Sequence, residues 1–214
     1  MILGRNLRIL AVACLAALPG LSSGQSLEQV LKATDAGDVE TVAGYLRKGL
    51  DPDTADSTGN TLLMIAARLG HQDLVAFLIS RKASVTRRNP YGDTPLMFAS
   101  LKGHLEVARL LVANGAQISN SGWTPLHYAA FEGHAGVVKY LLEKGADKNT
   151  YAPNGYTPLM LAAHGDHLEA ARTLLYDDAD LTLRGPKGET ALSIAKAGKF
   201  EELEGLLRRA GAVD

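Results

Sequence analysis

The chain has 214 residues, 46% of them hydrophobic and 21% charged, and a formal net charge of −1. That length gives enough apolar side chains for one sizeable domain, and the composition is ordinary for a globular protein. The near-neutral balance excludes a global field that would draw the chain to nucleic acid or an anionic membrane.

The first 24 residues read as an export signal rather than as part of the fold. Arg5 and Arg8 form a positive start, Ile9 to Leu18 is an uncharged apolar run, and Pro19-Gly20 breaks it. Ser22-Ser23-Gly24 then offers a small-x-small cleavage site. The apolar run has ten residues, half of the roughly 20 that a membrane span needs. Cleavage near Gly24 removes two positive charges and leaves 20 basic against 23 acidic residues, net −3. The compactness of the signal points to a bacterial periplasm. Two other readings stay open: an uncleaved anchor, and a lipoprotein made at Cys14 after Ala11-Val12-Ala13, where the preceding apolar stretch is very short. Cys14 is the single cysteine, so a mature chain starting at Gln25 forms no disulfide.

From Ser26 to Leu50 the spacing predicts a helix pair. Leu27, Val30, Leu31 and Ala33 form one apolar stripe; Val39, Val42, Tyr45 and Leu46 form the next. A tetrapeptide then recurs: Thr61-Leu62-Leu63-Met64, Thr94-Pro95-Leu96-Met97, Thr124-Pro125-Leu126-His127, Thr157-Pro158-Leu159-Met160 and Thr190-Ala191-Leu192-Ser193. The threonines lie 33, 30, 33 and 33 residues apart, the pitch of a solenoid of helix pairs. Each threonine is a helix N-cap, and proline follows at the first helical position, where its missing N–H costs nothing. A short apolar helix ends at Gly70, Gly103 or Gly133, and a second begins at His71, His104, His134 or His167. That helix ends at Gly49, Gly115, Gly145 or Gly211. Small pairs such as Ala66-Ala67, Ala129-Ala130 and Ala162-Ala163 stand where helices must approach closely. One unit buries too little apolar surface to fold alone, so stacking is required.

Gly122-Trp123-Thr124-Pro125-Leu126-His127-Tyr128-Ala129-Ala130-Phe131-Glu132-Gly133-His134, ending at Gly145-Ala146-Asp147, closely resembles the ankyrin repeat. The resemblance covers the chain from Gln25 onward. It implies an all-α solenoid of stacked antiparallel helix pairs with β-hairpin finger loops. The units are an N-terminal cap over 25–56, repeats over 57–89, 90–119, 120–152 and 153–185, and a C-terminal cap over 186–214. The finger after the 90–119 unit is three residues short, which leaves a notch in the row of fingers. Met64, Met97, Met160 and Ser193 replace the motif histidine, and the methionines are expected to lose its tie to the capping threonine. Asp166, Lys199, Lys82 and Asp178 replace helix-ending glycines, and the last unit is expected to be the most labile.

The resemblance places binding on the concave face, along fingers and first helices. Asp93, Trp123 and Tyr156 immediately precede a repeat threonine; Arg68, Leu101 and Phe131 lie seven residues after one, Lys102 and Glu132 eight after. Tyr91 marks a finger tip. Trp123, Phe131 and Tyr156 are candidate aromatic anchors, weighed against simple packing of finger on finger. Arg68, Asp93, Lys102 and Glu132 form a candidate selective rim. Arg81, Lys82, Arg87 and Arg88 form a basic cluster that reads as a solvated patch or as a dock for an acidic partner.

His164, Asp166 and His167 are the one local cluster with metal-ligand chemistry, and they lack the further ligands of a zinc site. No phosphate loop, nucleophile elbow or catalytic cysteine is present in the motifs. The reading is therefore a monomeric, exported, non-catalytic protein-binding module without a cofactor. Its expected partner is a protein, not a nucleic acid or the membrane interior. Proteins similar to this in bacteria are linked to stress defence or toxin neutralisation. A structural or assembly factor of the cell envelope is the alternative, and a metal- or ligand-binding enzyme built on His164 is a third.

Overall fold

The computed structural model describes residues 23–119 and 121–213. The expected export signal lies outside them, except for Ser23 and Gly24, which open the first helix. Twelve helices follow among the described residues: α1 (Ser23–Asp35), α2 (Val39–Arg47), α3 (Leu62–Leu69), α4 (Gln72–Ser80), α5 (Pro95–Leu101), α6 (Leu105–Ala113), α7 (Pro125–Phe131), α8 (Ala135–Glu143), α9 (Pro158–His164), α10 (Leu168–Tyr176), α11 (Ala191–Gly198) and α12 (Glu201–Arg209). The odd-numbered helices stack on one another in one layer and the even-numbered ones in a second. None of these helices is long and apolar enough to cross a membrane.

Local chemistry accounts for each pair. Thr61, Thr94, Thr124, Thr157 and Thr190 hold extended backbone, and each hydroxyl accepts the N–H three residues on. The first helices α3, α5, α7 and α9 are short and mostly apolar, and all but their last residues are largely buried; the second helices bury one stripe and wet the other. The small pairs are fully buried at Ala66-Ala67, Ala129-Ala130 and Ala162-Ala163, which lets neighbouring backbones close up. The core runs unbroken from Val30 and Val42 to Leu203 and Leu207. The terminal α12 buries Leu203, Leu206 and Leu207 and presents Glu201, Glu202, Arg208 and Arg209 to water, as a cap must.

The fingers close alike. Gly59, Gly92, Gly155 and Gly188 sit at positive φ, each donating its N–H to a carbonyl three residues back, while the first finger residue bonds back to the last, as Asn89 N–H does to the Asp93 carbonyl at 3.0 Å. The one bridge of β type among the described residues joins Ala55 to Thr61.

Two expectations change. Methionine does tie back to its capping threonine: the Thr61 N–H donates to Met64 Sδ at 3.4 Å and the Thr94 N–H to Met97 Sδ at 3.3 Å. A thioether is a weak acceptor on a flexible stem, and that suffices for a buried donor that would otherwise go unpaired. In α9 only the forward bond forms, from the Met160 N–H to Thr157 Oγ1 at 3.4 Å. The histidines at the second helices also stand one residue outside them, at the N-cap, and make no side-chain cap bond.

Those rings reach backward instead. His71 Nε2–H donates to the Asp35 carbonyl at 2.8 Å, His104 to Arg68 at 3.0 Å, His134 to Leu101 at 3.0 Å and His167 to Phe131 at 2.8 Å. Because a carbonyl only accepts, Nε2 carries the proton in each. Each ring lies against a positive-φ glycine of the preceding unit: a Cβ on Gly70 would sit 2.6 Å from the His104 ring, and one on Gly133 would sit 2.4 Å from that of His167. These glycines are thus required twice, for their φ and for the close approach. The last joint has Phe200 in the histidine's place, which has no donor to offer. Lys82, Asp166, Asp178 and Lys199 all adopt positive φ, between 55 and 70°, as strained replacements for glycine.

His127 alone among the motif positions is histidine. It is fully buried, its Nδ1 accepts the Thr124 N–H at 3.1 Å, and its Nε2–H donates to the Thr150 carbonyl at 3.0 Å. Burial lowers its pKa to about 4, against the smaller opposing pull of the Thr150 carbonyl.

Candidate functional site

The expected face is assembled by the odd-numbered helices and the fingers beside them. Arg68, Leu101 and Phe131 lie in the last turns of the first helices of successive units, and Lys102 and Glu132 are exposed just after Leu101 and Phe131. Their carbonyl row is what the inter-unit histidines grip: His104 holds Arg68, His134 holds Leu101 and His167 holds Phe131. The face is therefore fixed by the stacking joints, so little order remains to be imposed on binding.

The aromatic candidates divide into two kinds. Phe131 is 47% exposed and Tyr91 80% exposed, so both present apolar surface to solvent. Trp123 and Tyr156 are half-buried and engaged within the fold. Trp123 stacks on Tyr128 with centroids 5.4 Å apart and meets the His127 edge at 5.8 Å. The Tyr156 hydroxyl donates to Glu189 Oε1 at 2.5 Å, and its ring meets the edge of His164 at 5.5 Å. Finger-to-finger packing thus accounts for part of Trp123 and Tyr156. The bond to Glu189 raises the Tyr156 phenol pKa and lowers that of the Glu189 carboxyl.

Tyr128 was not among the residues singled out by the repeat pattern, yet it joins two units. Its hydroxyl donates to Asp93 Oδ1 at 2.7 Å while its ring carries Trp123. Burial, then the Asp93 carboxylate, pushes its phenol pKa well above the ordinary value. Asp93, a candidate rim charge, is therefore a finger-to-helix tie. The sequence signal for this is slight: an aromatic at position four of one first helix and an acid before the threonine of the preceding unit.

Between the fourth and fifth units the face opens into a groove of about 500 Å³. Phe131, Tyr156 and Leu161 supply its apolar lining, with Glu132, Asn154 and His164 at the polar edge. Gly165 replaces the Leu69, Lys102 and Glu132 of other units here and keeps the groove wide.

Three members of the basic cluster have separate contacts within the fold. Arg81 lies over the Phe77 ring of the second layer at 5.1 Å, Arg87 pairs with Asp53 at 3.8 Å, and Arg88 donates to the Gly92 carbonyl at 2.9 Å. His164 and His167 likewise face different tasks, one against Tyr156 and one on the Phe131 carbonyl. Among the described residues no three His, Cys, Asp or Glu side chains are placed to share a metal ion.

Capped helix pairs stacked in two layers, with a finger projecting from each joint, define a repeat solenoid, an architecture that generally serves as an extended binding scaffold. The family described as ankyrin repeats in three copies matches residues 30–121, 88–152 and 119–185, and the chain belongs to it. Relatives include the ankyrin repeat and SAM domain-containing protein 6 of Mus musculus, 35% identical across 30% of this chain, and that of Rattus norvegicus, 32% identical across the same share. In each the match spans 10% of the relative's own length.

Proposed function

We propose that this chain is an exported, non-catalytic binding module. It takes a protein partner on the finger and first-helix face, with Phe131 and its groove as the central anchor. Ankyrin repeats generally mediate protein–protein contacts, which supports the class of activity. The observation that carries the particular face is Phe131, half-exposed beside a groove of about 500 Å³ and backed by a carbonyl row locked in place. Large side chains that become buried in a pocket on binding carry much of the energy of protein interfaces. Arg68, Lys102 and Glu132 supply selectivity around it, and Trp123 and Tyr156 hold the fingers that wall it. The reading places the protein in the periplasm, in stress defence or toxin neutralisation, on the strength of the segment over 1–24 and the resemblance alone.

Cross-linked capture from the native envelope fraction tests it, with the tagged protein beside a Phe131→Ala, Glu132→Ala variant. Both side chains are exposed, so the variant is expected to fold as the parent does. A protein captured by the parent and lost with the variant supports the reading. Equal capture by both removes Phe131 from the site.

A further inference from the structure

The second helices share a design on the opposite layer. Their sixth residue is large and apolar in most: Phe77 in α4, Leu110 in α6, Tyr140 in α8 and Leu206 in α12. Tyr140 shows the fit: it is buried, and the Arg109 guanidinium of α6 lies over its ring at 4.8 Å. In α2 the sixth residue is Gly44, which has no preceding unit among the described residues. In α10 it is Thr173, whose hydroxyl turns back to the Glu169 carbonyl at 2.8 Å. A cleft of about 420 Å³ opens between α8 and α10, beside the position where α8 carries Tyr140, with Leu142 and Thr173 in its lining.

Tyr176, the last residue of α10, borders this cleft and is 93% exposed, more than any other large hydrophobic side chain described. The rim is ordered by charge. Lys139 and Arg172 stand at the middle of their helices, and Glu143 and Asp177 stand about one turn further along, at the helix ends.

We propose that this cleft and Tyr176 form a self-complementary docking surface for a second copy of this chain. A two-fold arrangement with the two α10 helices antiparallel places each Tyr176 ring in the cleft of its mate. It then occupies the kind of space that Tyr140 fills within the chain. The same operation sets Lys139 and Arg172 of one copy opposite Glu143 and Asp177 of the other, so the charges match only in this orientation. Lys139, which holds on α8 the place that Arg109 holds on α6, meets the mate's Tyr176 as Arg109 meets Tyr140, adding a cation–π contact. Two rim charges are engaged within the chain: Arg172 pairs with Glu169 at 3.2 Å, and Lys148 pairs with the Asp177 carboxylate at 3.5 Å while also donating to its carbonyl, so the pairing of copies exchanges these exposed or half-exposed contacts for new ones. This differs from the single-copy state that the sequence led us to expect. The lining falls well short of the roughly 20–30 residues a side of a permanent interface, so the pairing is weak and reversible. It leaves the Phe131 face of each copy free on the opposite layer, and the pair is bivalent toward a partner.

Sedimentation equilibrium of the native protein over about 10 µM to 1 mM measures the pairing directly, across the range where weak complexes form. The expected result is a mass rising from one chain to two, with the association weakened by added salt. Thr173→Tyr supplies from within the residue that α8 carries at this position and closes the cleft. Tyr176→Ser removes the inserted ring at a site with no packing to lose. Each is expected to hold the protein as a single chain at concentrations where the parent pairs, at least a tenfold loss. A parent that stays a single chain at about 1 mM overturns the proposal. So does undiminished pairing in Tyr176→Ser, whatever the folding of Thr173→Tyr.

Discussion

Replacing His127 by methionine should exchange stability at neutral pH for stability in acid. His127 holds its neutral Nε2–H tautomer between the Thr124 N–H and the Thr150 carbonyl, with no solvent contact. A proton on Nδ1 would face the Thr124 N–H and bury a charge, which is why the folded pKa falls from 6.5 to about 4. As pH drops below 6.5, the unfolded chain takes up the proton and the folded chain does not. The contribution is whole above the unfolded pKa and is lost progressively down to the folded one. At about 1.36 kcal/mol per pH unit the full loss is about 3 kcal/mol, of which about 2 kcal/mol falls between pH 7 and pH 5. Methionine does not titrate, and Met64 and Met97 show that it accepts the same threonine N–H. His127→Met gives up the bond to Thr150, about 1 kcal/mol at neutral pH. The parent is therefore more stable by about that amount at pH 7, the variant by about the same amount at pH 5, and the curves cross near pH 6. Urea denaturation followed by far-ultraviolet circular dichroism at a series of pH values measures this. The other five histidines and all carboxylates are common to both proteins and cancel in the difference. Parallel stability curves from pH 7 to pH 5 would refute a buried, neutral His127.

Gly70→Ala should cost more than about 2 kcal/mol, because it combines a positive φ of 76° with a Cβ 2.6 Å from the His104 ring; a fall in urea midpoint no larger than that of an exposed helix substitution would contradict the joint described here. Ser100 occupies the position held by alanine in Ala67, Ala130 and Ala163, and its buried hydroxyl has no partner in the protein. Ser100→Ala is expected to stabilise the chain by about 1 kcal/mol, read from thermal and urea unfolding, and a loss of stability would mean that the hydroxyl is satisfied.

Much of this architecture was legible in the residues because it is local. A threonine followed by proline starts a helix wherever it stands, a glycine or a strained Lys82 or Asp166 ends one, and five motif copies in phase announce stacking. The exposure of Phe131, on the open side of a first helix, could be read in the same way. Other features were decided only when units 30 or 33 residues apart came into contact. No single unit states that His104, His134 and His167 bind the carbonyls of the unit before them, or that Met64 and Met97 offer sulfur to a capping N–H. Trp123 and Tyr156 looked alike as finger aromatics, and only the neighbouring Tyr128 and Glu189 tie them into the packing. Thr173 is an ordinary helix residue in the sequence, and it lines an open cleft at the position where α8 carries the buried Tyr140. The sequence alone determined the elements and their order, since these follow from each residue's own backbone and side-chain preferences. The tertiary structure decided which surfaces are sealed and which stay open, since that depends on the shape of the neighbour each unit is given.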